Sequence, residues 1–428
     1  MSILIKNGRV VDPGNNISDV MDVLVENHAI SKVAKSIKAD SATTIDATNK
    51  IVLPGLVDMH VHLREPGRED KETIASGTRA AVHGGVTSVL AMANTLTTID
   101  SVEAVRLAKG IIKKTALAHV YIAAALTKGR EGMVLTDIAR LKKEGAIALS
   151  DDGASVDADQ VMLLALKKAK QQKMLVACHC EDRALSASGV VNLGLTSTRM
   201  GLRGISAESE YKRVERDIAL AQKAQSPIHI QHVSCAKSIE VIAKFKKAGV
   251  RVTCETAPHY FSLPEEAVLG YDTNFKMNPP LRSKEDIAAI RQALRDGTID
   301  AIASDHAPHT ENEKAIEFDR AEFGVIGLET ILAASLTELV YTGTLTLEEC
   351  VRKLTVVPSS ILGVDRGTLG VGKPADITIV DTAKEWLVKK ESFLSKSKNS
   401  AFLGKTLKGV VEYTIVNGHI VYPLKDPK

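Results

Sequence analysis

The stretch GLVDMHVHLREPG, residues 55–67, places polar side chains at alternate positions of what otherwise reads as a buried strand. Asp58, His60 and His62 lie two residues apart, and Arg64 continues the spacing. Alternate residues of a strand point to the same face of a sheet, so these side chains share one face. In a barrel of parallel strands that face is the interior, and active sites lie at the carboxyl ends of the strands. The stretch therefore predicts a barrel strand that ends in a polar site.

Seven further short apolar runs follow this stretch, and helical sequence lies between them. The runs occupy residues 87–93, 119–126, 146–152, 174–180, 227–233, 251–257 and 301–307. One intervening segment, AESEYKRVERDIALAQKA (207–224), begins with acidic residues and ends with basic ones, as the helix dipole favours. Eight strand-then-helix units are the count of a (β/α)8 barrel. We predict an α/β fold with a TIM-type barrel over residues 54–363.

The two ends of the chain resemble each other and differ from the middle. LIKNGRVVDP begins at Leu4 and TIVNGHIVYP begins at Thr414, and each has Asn-Gly between β-branched runs. Asn-Gly between such runs is the signal of a two-residue hairpin turn. We predict a hairpin at each end, and a small β-sandwich domain formed by residues 1–53 together with 364–428.

Composition argues against several classes of function. The hydrophobic fraction of 44% and the charged fraction of 25% are ordinary for a globular protein, and a net charge of +3 gives no reason to expect nucleic acid. The start, MSILIKNGRV, lacks a signal-peptide core, and no apolar run reaches the ~18 residues of a membrane span. Five cysteines without paired metal-finger spacing suggest reduced thiols. We expect a cytoplasmic protein without nucleic-acid or membrane partners.

Histidines and aspartates recur where the predicted barrel strands end. Buried imidazoles and carboxylates satisfy one another poorly, and a divalent ion such as zinc would resolve this. Six ligands exceed one tetrahedral shell, so the residues alone leave one ion or two open. The six are His60, His62, Asp152, His179, His232 and Asp305. Five histidines lack this context and are interpreted as surface or packing residues: His28, His83, His119, His229 and His419.

At these positions the sequence resembles the amidohydrolase superfamily and, within it, the class I dihydroorotases. Besides the opening stretch, the matching motifs are AMANT (91–95), SDDG (150–153), HCEDR (179–183), IQHVS (230–234), ETAPHY (255–260), KMNPPLR (276–282) and ASDHAPHT (303–310). Such enzymes join an amidohydrolase barrel to a small β-sandwich made from both termini. They interconvert N-carbamoyl-L-aspartate and L-dihydroorotate in de novo pyrimidine biosynthesis.

The resemblance implies roles for individual residues. It implies that His60, His62 and Asp305 bind one zinc ion, and that His179 and His232 bind a second where two are present, with Asp152 bridging. Asp305 is also implied to be the catalytic proton acceptor. The residues implied to bind the substrate are Arg64, Asn94, Asn278 and His309. Two positions depart from the family pattern: Ala93 replaces the proline of MPNT, and Glu322 replaces the proline of APFG.

Other functions remain as alternatives. Allantoinases and hydantoinases share the fold and the metal chemistry, but their substrates lack the ring carboxylate that Arg64 would bind. A noncatalytic partner of aspartate carbamoyltransferase is a further alternative, although every ligand position here is filled. The resemblance implies a homodimer, and it allows an active enzyme to associate with that transferase.

Overall fold

The molecule combines a barrel with a second sheet built from both ends of the chain. The computed structural model describes residues 2–424. The strands are β1 (Ser2–Asp12), β2 (Ile17–Glu26), β3 (Ala29–Ala34), β4 (Thr43–Asp46), β5 (Ile51–Pro54), β6 (Leu56–Val61), β7 (Val86–Ala91), β8 (His119–Ala124), β9 (Ala148–Leu149), β10 (Leu175–Cys178), β11 (Val191–Asn192), β12 (Gly204–Ile205), β13 (Ile228–Ile230), β14 (Val252–Thr256), β15 (Ala301–Ile302), β16 (Ile377–Leu387), β17 (Thr406–Val416) and β18 (His419–Tyr422).

Helices lie between the strands and after them. The α-helices are α1 (Ile74–His83), α2 (Val102–Thr115), α3 (Ile138–Glu144), α4 (Asp159–Gln171), α5 (Arg183–Ser186), α6 (Leu195–Met200), α7 (Ala207–Ala224), α8 (Ala236–Lys247), α9 (Pro258–Ser262), α10 (Lys284–Asp296), α11 (Glu311–Lys314), α12 (Ile331–Ser335), α13 (Leu347–Leu354) and α14 (Val356–Leu362). Short 3-10 helices occupy Lys128–Arg130, Glu265–Gly270, Thr273–Phe275 and Lys390–Ser392, and a π turn occupies Leu336–Val340.

Eight parallel strands form the barrel, in the order β6-β7-β8-β9-β10-β13-β14-β15. A parallel bridge between Val61 and His306 closes it, and the His62 amide donates to the His306 carbonyl oxygen at 2.8 Å. The Asp58 carboxylate supports this closure by accepting from the Ser304 amide at 3.1 Å. The predicted barrel is confirmed. Its closure sets the carboxyl end of the first strand beside that of the last.

The helices cover the barrel with apolar faces, and several of them are capped by side chains at their N-termini. Helix α10 is an example, because Ser283 accepts from the Asp286 amide at 3.2 Å while Asp286 accepts from the Ser283 amide at 3.2 Å. The helix buries Ile290 and Leu294 and ends at Gly297 with φ of 83°. Burial of each side chain stabilises the fold by about 1.5–3 kcal/mol. None of the helices within residues 2–424 is long and apolar enough to cross a membrane.

The second sheet joins the two ends of the chain. Its strand order is β18-β17-β16-β5-β1-β2-β3, and β4 pairs with β1. An apolar cluster of its own holds it together, including Ile3, Ile5, Ile377 and Ile415. The chain passes from this sheet into the barrel at Gly55, where a Cβ would lie 2.2 Å from the Thr87 hydroxyl oxygen. Residues 1 and 425–428 of the predicted domain lie outside the described part of the chain.

The two predicted hairpins have different outcomes. The Asn417-Gly418 turn between β17 and β18 is confirmed, with Val416 paired to His419. The prediction for Asn7-Gly8 is wrong, because both residues lie inside β1 at a bulge where the register to β2 shifts. Asn7 adopts φ of 60° and donates its amide to Asp22 at 2.9 Å. A glycine is required next to it because a Cβ on Gly8 would lie 2.5 Å from a Val52 methyl group.

Candidate metal centre

The structure brings the six predicted metal ligands together at the carboxyl end of the barrel, here called the mouth. Each ligand lies at the end of a strand or within three residues of it, and all are buried. His60 is the penultimate residue of β6 and His62 lies just beyond it. The others follow β9, β10, β13 and β15 in turn: Asp152, His179, His232 and Asp305. The parallel strands place these groups at one edge, although residues 60 and 305 lie far apart in sequence.

Asp152 stands between two groups of ligands. Its Oδ2 lies 3.5 Å from His60 Nε2 and 3.3 Å from His62 Nε2. Its Oδ1 lies 3.5 Å from His232 Nε2 and 3.8 Å from His179 Nδ1. The two oxygens of one carboxylate thus face two separate pairs of imidazoles. This is the arrangement of a carboxylate that can bridge two ions.

Asp305 completes the group around His60 and His62. Its Oδ1 lies 3.3 Å from His62 Nε2 and 3.6 Å from His60 Nε2. Ligands ~2.1 Å from a shared tetrahedral ion lie about 3.4 Å apart, so these separations suit a common ion. On the other side of Asp152, the facing nitrogens of His179 and His232 are 2.8 Å apart.

Unsatisfied buried atoms show that the donor set fits a divalent cation. His60 Nε2 and Asp152 Oδ1 are both buried, and within residues 2–424 neither has a hydrogen-bond partner. Leaving such atoms unpaired is costly, and a cation that accepts both nitrogen and oxygen ligands removes the cost. The ligand atoms of His60, His62 and Asp152, and those of Asp152, His179 and His232, lie within 4.8 Å of one another in each group. Either group can hold an ion.

Neighbouring side chains orient the histidines that are predicted to bind metal. His60 Nδ1 lies 2.8 Å from Glu255 Oε1, and His62 Nδ1 lies 2.8 Å from Asn94 Oδ1. Each contact turns Nε2 toward the centre and increases the basicity of the ring. Burial alone would raise the pKa of Glu255, but hydrogen bonds from His229 and His60 bring it down to about 2. Asn94, predicted to bind substrate, thus uses its carbonyl oxygen on a ligand and keeps its amide hydrogens free for other contacts.

Sequence reasoning missed the role of Glu255 and simplified that of His229. His229 is buried, and its Nε2 lies 3.3 Å from Glu255 Oε2, so it belongs to the support of the metal centre. Its Nδ1 is 2.8 Å from the Thr253 hydroxyl. The motif ETAPHY contains Glu255, and its position at an inward-facing strand end is the signal that could have identified it.

Several residues of the mouth have strained backbones. Arg64, His232 and Asp305 have φ of 61°, 37° and 48°, in the left-handed region that side chains with a Cβ rarely adopt. Each such residue costs on the order of 1–3 kcal/mol and persists only where the surrounding structure imposes it. Two of the three are predicted metal ligands, and the third is the predicted carboxylate binder.

The four predicted substrate-binding residues line one cavity of about 310 Å³, together with five of the metal ligands. The four are Arg64, Asn94, Asn278 and His309. Arg64 donates through Nε to the Pro308 carbonyl at 3.1 Å, and burial lowers its pKa to about 10. No carboxylate oxygen within residues 2–424 lies within 4.0 Å of its guanidinium. A buried guanidinium without an anion is a ready site for a carboxylate.

The cavity also has cationic residues that sequence reasoning did not select. Lys71 and Arg130 both line it. Arg130 donates through Nη1 to the Asp152 carbonyl at 2.6 Å, and burial lowers its pKa. Its position in the loop after β8, at the carboxyl end of the barrel, was the available signal. The exposed Glu322 lies at the same cavity, so the departure from the family pattern does reach the site.

Comparisons with known proteins agree with this geometry. The Dihydro-orotase-like family matches residues 49–238, and the Amidohydrolase family matches residues 165–422. A dihydroorotase of Elusimicrobium minutum is 50% identical over 98% of this chain and 97% of its own length. A dihydroorotase of Geobacter metallireducens is 49% identical over 99% of this chain and 100% of its own.

Solved structures share the fold at lower identity. An L-hydantoinase (dihydropyrimidinase) of Arthrobacter aurescens matches with a TM-score of 0.89 and 24% identity over 98% of this chain and 95% of that one. A dihydropyrimidinase of Brevibacillus agri matches with a TM-score of 0.86, also at 24% identity, with the same coverage. At this identity the likeness shows the fold alone. The family assignment rests on the two near-full-length relatives, which are 50% and 49% identical to this chain. The chain belongs to the dihydroorotases of the amidohydrolase family.

Proposed function

We propose that this chain is a class I dihydroorotase that closes N-carbamoyl-L-aspartate to L-dihydroorotate and reopens the ring. The family supports the reaction, and one observation supports the choice of substrate. Arg64, a cation without a carboxylate partner, lines the cavity that five of the predicted metal ligands also line. L-Dihydroorotate has a carboxylate on its ring, whereas hydantoin and allantoin do not. A site built to pair a charged group discriminates strongly against substrates that lack it.

The proposed metal is zinc. His60, His62 and Asp305 would hold one ion, and His179 and His232 would hold a second, with Asp152 between them. When bound, such an ion lowers the pKa of a coordinated water toward ~7 and polarises a carbonyl oxygen. Whether the chain takes one ion or two is tested by metal analysis of the purified protein and of a His179→Ala variant.

The residues of the chain supply binding and proton transfer. Arg64 would bind the substrate carboxylate bidentately, and the Asn94 amide, Asn278 and His309 would fix the ring beside it. In the ring-opening direction, Asp305 would accept a proton from the attacking water and deliver it to the leaving ring nitrogen. Ring closure is the reverse of these steps. Coulombic attraction to His60 and contact with His62 hold the pKa of Asp305 low despite its burial, so it is ionised and able to accept a proton.

The proposal extends to organisation and location. The division into a terminal domain (residues 1–53 with 364–428) and a barrel domain (54–363) is tested by limited proteolysis. A cytoplasmic location, a homodimer and association with aspartate carbamoyltransferase are parts of the same proposal. Sedimentation of the chain alone, and then mixed with that transferase, tests the last two.

The function is tested by an assay of the purified chain after chelation and after zinc is restored. We expect zinc-dependent turnover of L-dihydroorotate, with hydantoin and allantoin turned over at least about 100-fold less efficiently, since a lost charged contact costs about 2–5 kcal/mol. Preferential turnover of hydantoin or allantoin would contradict the proposal. Bound zinc without turnover of any of the three would favour the noncatalytic alternative.

A further inference from the structure

The loop that follows α11, residues 315–324, covers one side of the substrate cavity. Glu322, Phe323 and Gly324 line the cavity, and the next residue, Val325, forms a bridge with His306. The sequence alone leaves open whether residues 310–325, which contain this loop, form a mobile lid or an ordered loop. In the structure its backbone is held by two buried lysines that come from outside the loop, Lys276 and Lys314.

Both ammonium groups donate to backbone carbonyls of the loop. Lys314 Nζ donates to Glu322 at 2.8 Å, to Gly324 at 3.0 Å and to Lys276 at 3.3 Å. Lys276 Nζ donates to Asp319 at 3.0 Å and to Ala321 at 2.5 Å. It also lies 4.4 Å from the centroid of the Phe323 ring. Five carbonyl contacts therefore tie four residues of the loop, and Lys276 itself, to two side chains.

Neither lysine is paired with an acid, which makes its burial expensive. Lys276 is 2% exposed and Lys314 is 6% exposed. Within residues 2–424, no carboxylate oxygen lies within 4.0 Å of either Nζ. Burial lowers the pKa of Lys314 to about 7 and that of Lys276 to about 8. A buried cation without a counter-ion is destabilising compared with an apolar side chain of similar volume. The stability of the fold therefore does not explain why two buried lysines contact the same loop.

The loop connects these lysines to the proposed carboxylate binders. The Phe323 carbonyl oxygen lies 2.8 Å from His309 Nε2, and Lys71 Nζ lies 3.1 Å from His309 Nδ1. An ammonium can only donate, so Nδ1 accepts and the ring proton lies on Nε2, which donates to Phe323. Burial and the nearby cations, Arg64 first among them, lower the pKa of His309 and keep it neutral. His309 Nε2 also lies 3.2 Å from Arg64 Nη2; because both nitrogens then carry hydrogens, this is a packing contact rather than a hydrogen bond.

Close packing at Gly324 supports a single closed position of the loop. The Gly324 amide donates to the Lys276 carbonyl at 2.9 Å, and its φ is 134°. A Cβ at this residue would lie 2.7 Å from the Ala307 Cβ and 3.1 Å from His309 Nε2. The backbone of the loop therefore packs directly against the segment that carries His309.

We propose that Lys276 and Lys314 are positioning residues that hold loop 315–324 closed and thereby fix His309 and Arg64 for the carboxylate of the substrate. The proposal rests on the proposed function in one respect, that the bound substrate has this carboxylate. The lysines act through the Phe323 carbonyl and do not touch the substrate themselves.

The test is steady-state kinetics of zinc-loaded Lys314→Met and Lys276→Met variants on L-dihydroorotate. We expect KM to rise about tenfold or more, as for the loss of hydrogen bonds to a charged group, while kcat changes less than about threefold. The matched control is Lys353→Met. Lys353 lies on α13, outside the loop, and it is also buried and donates to a backbone carbonyl, that of Ile299. Its KM should equal that of the unmodified chain. Equal KM values in all variants would overturn the proposal.

A double-mutant cycle separates positioning from general damage to the fold. If Lys314 acts through His309, then Lys314→Met should change KM much less in a His309→Ala background than alone. Fully additive effects would overturn the proposal.

Hydrogen exchange on the unmodified chain tests whether loop 315–324 is held closed, and it requires neither a variant nor turnover. The Ala321, Glu322 and Gly324 amides should be protected, and rapid exchange at all three would contradict a closed loop. If the unmodified chain does not turn over dihydroorotate, the proposed function fails while this measurement still decides the state of the loop.

Discussion

The terminal sheet and the mouth of the barrel both contain residues with left-handed backbones, but the residue types differ. In the terminal sheet and its turns the non-glycine examples are five asparagines and one histidine: Asn7, Asn16, Asn27, Asn49, Asn417 and His28. In the mouth they include Arg64, His232 and Asp305. Asparagine adopts this conformation readily because its short side chain can hydrogen-bond locally, and aspartate and histidine are also enriched there, whereas arginine adopts it only under constraint. In the sheet, therefore, residue types that tolerate the left-handed conformation adopt it, whereas at Arg64 in the mouth the tertiary structure imposes it.

Buried carboxylates show the same contrast. In the sheet, Asp22 Oδ1 accepts from the Asn7 amide at 2.9 Å and its Oδ2 accepts from the Ile37 amide at 2.9 Å. In the mouth, Asp152 faces four imidazoles, and its Oδ1 has no hydrogen-bond partner within residues 2–424. The carboxylate of the sheet is satisfied by the protein itself, and that of the mouth needs a ligand. Substitutions in the sheet should therefore reduce stability, and those in the mouth should reduce metal binding and catalysis.

The largest expected effect separates these two carboxylates directly. Asp152→Asn should lower kcat by about 10³-fold or more and reduce bound metal, because it removes the charge shared by both ligand groups. Asp22→Asn should retain metal and kcat while losing about 1–3 kcal/mol of stability, since one backbone donor loses its acceptor. Metal analysis, kinetics and chemical unfolding check both variants. Equal metal loss in the two would remove the distinction between the regions.

A substitution in the apolar core of the sheet tests whether the sheet contributes to stability without contributing to catalysis. Ile5 is fully buried, so Ile5→Ala should lower the free energy of unfolding by about 2–5 kcal/mol while kcat per folded molecule is unchanged. Val20 on the neighbouring strand is 54% exposed, and Val20→Ala is the control with a much smaller effect. Denaturant titration gives both values. A large fall in kcat for Ile5→Ala would show that the sheet contributes to catalysis.

Glu255→Gln tests whether the contact between Glu255 and His60 strengthens metal binding. The affinity for zinc should fall about 10–100-fold, because His60 loses the carboxylate that orients it and increases its basicity. Glu329→Gln is the matched control, since Glu329 is also buried, contacts a histidine, His83, at 3.2 Å, and lines a different cavity from the predicted metal ligands. Competition with a chromophoric chelator measures both affinities. Unchanged affinity for Glu255→Gln would remove this residue from the metal centre.

The smallest effect concerns Glu322, the acidic residue at the edge of the cavity. Glu322→Gln should raise kcat/KM for the anionic substrate by less than about threefold, because an exposed charge is screened by water and salt. The gain should shrink as salt increases. Glu317→Gln on the same loop is the control, and it should change nothing. A fall in kcat/KM for Glu322→Gln would mean that this carboxylate contributes to binding.

Local patterns made much of the architecture predictable. Buried parallel strands appear in sequence as short apolar runs, and all eight barrel strands lie within the predicted runs or overlap them. Alternation along one strand placed His60 and His62 on one face. The Asn-Gly signal was ambiguous, because a bulge at Asn7 and a hairpin at Asn417 require the same residue types. Only the contacts of neighbouring strands distinguish the two.

The residues that sequence reasoning missed act across long sequence separations. Glu255 supports His60 across 195 positions, and Lys276 donates to loop carbonyls 43 and 45 positions away. Side chains that donate to backbone carbonyls depend on how elements pack, and no spacing rule reveals this. The strained conformations of Arg64 and His232 were unpredictable for the same reason.

The central claim is that the mouth joins a metal centre to a carboxylate-binding cation, and the most direct test compares two substrates in two proteins. The measurement is kcat/KM for L-dihydroorotate and for hydantoin, with the unmodified chain and with Arg64→Ala. The account predicts that the variant loses about 100-fold on dihydroorotate, which has the carboxylate, and little on hydantoin, which does not. An equal loss on both substrates would contradict it, because Arg64 would then serve the site without recognising the carboxylate.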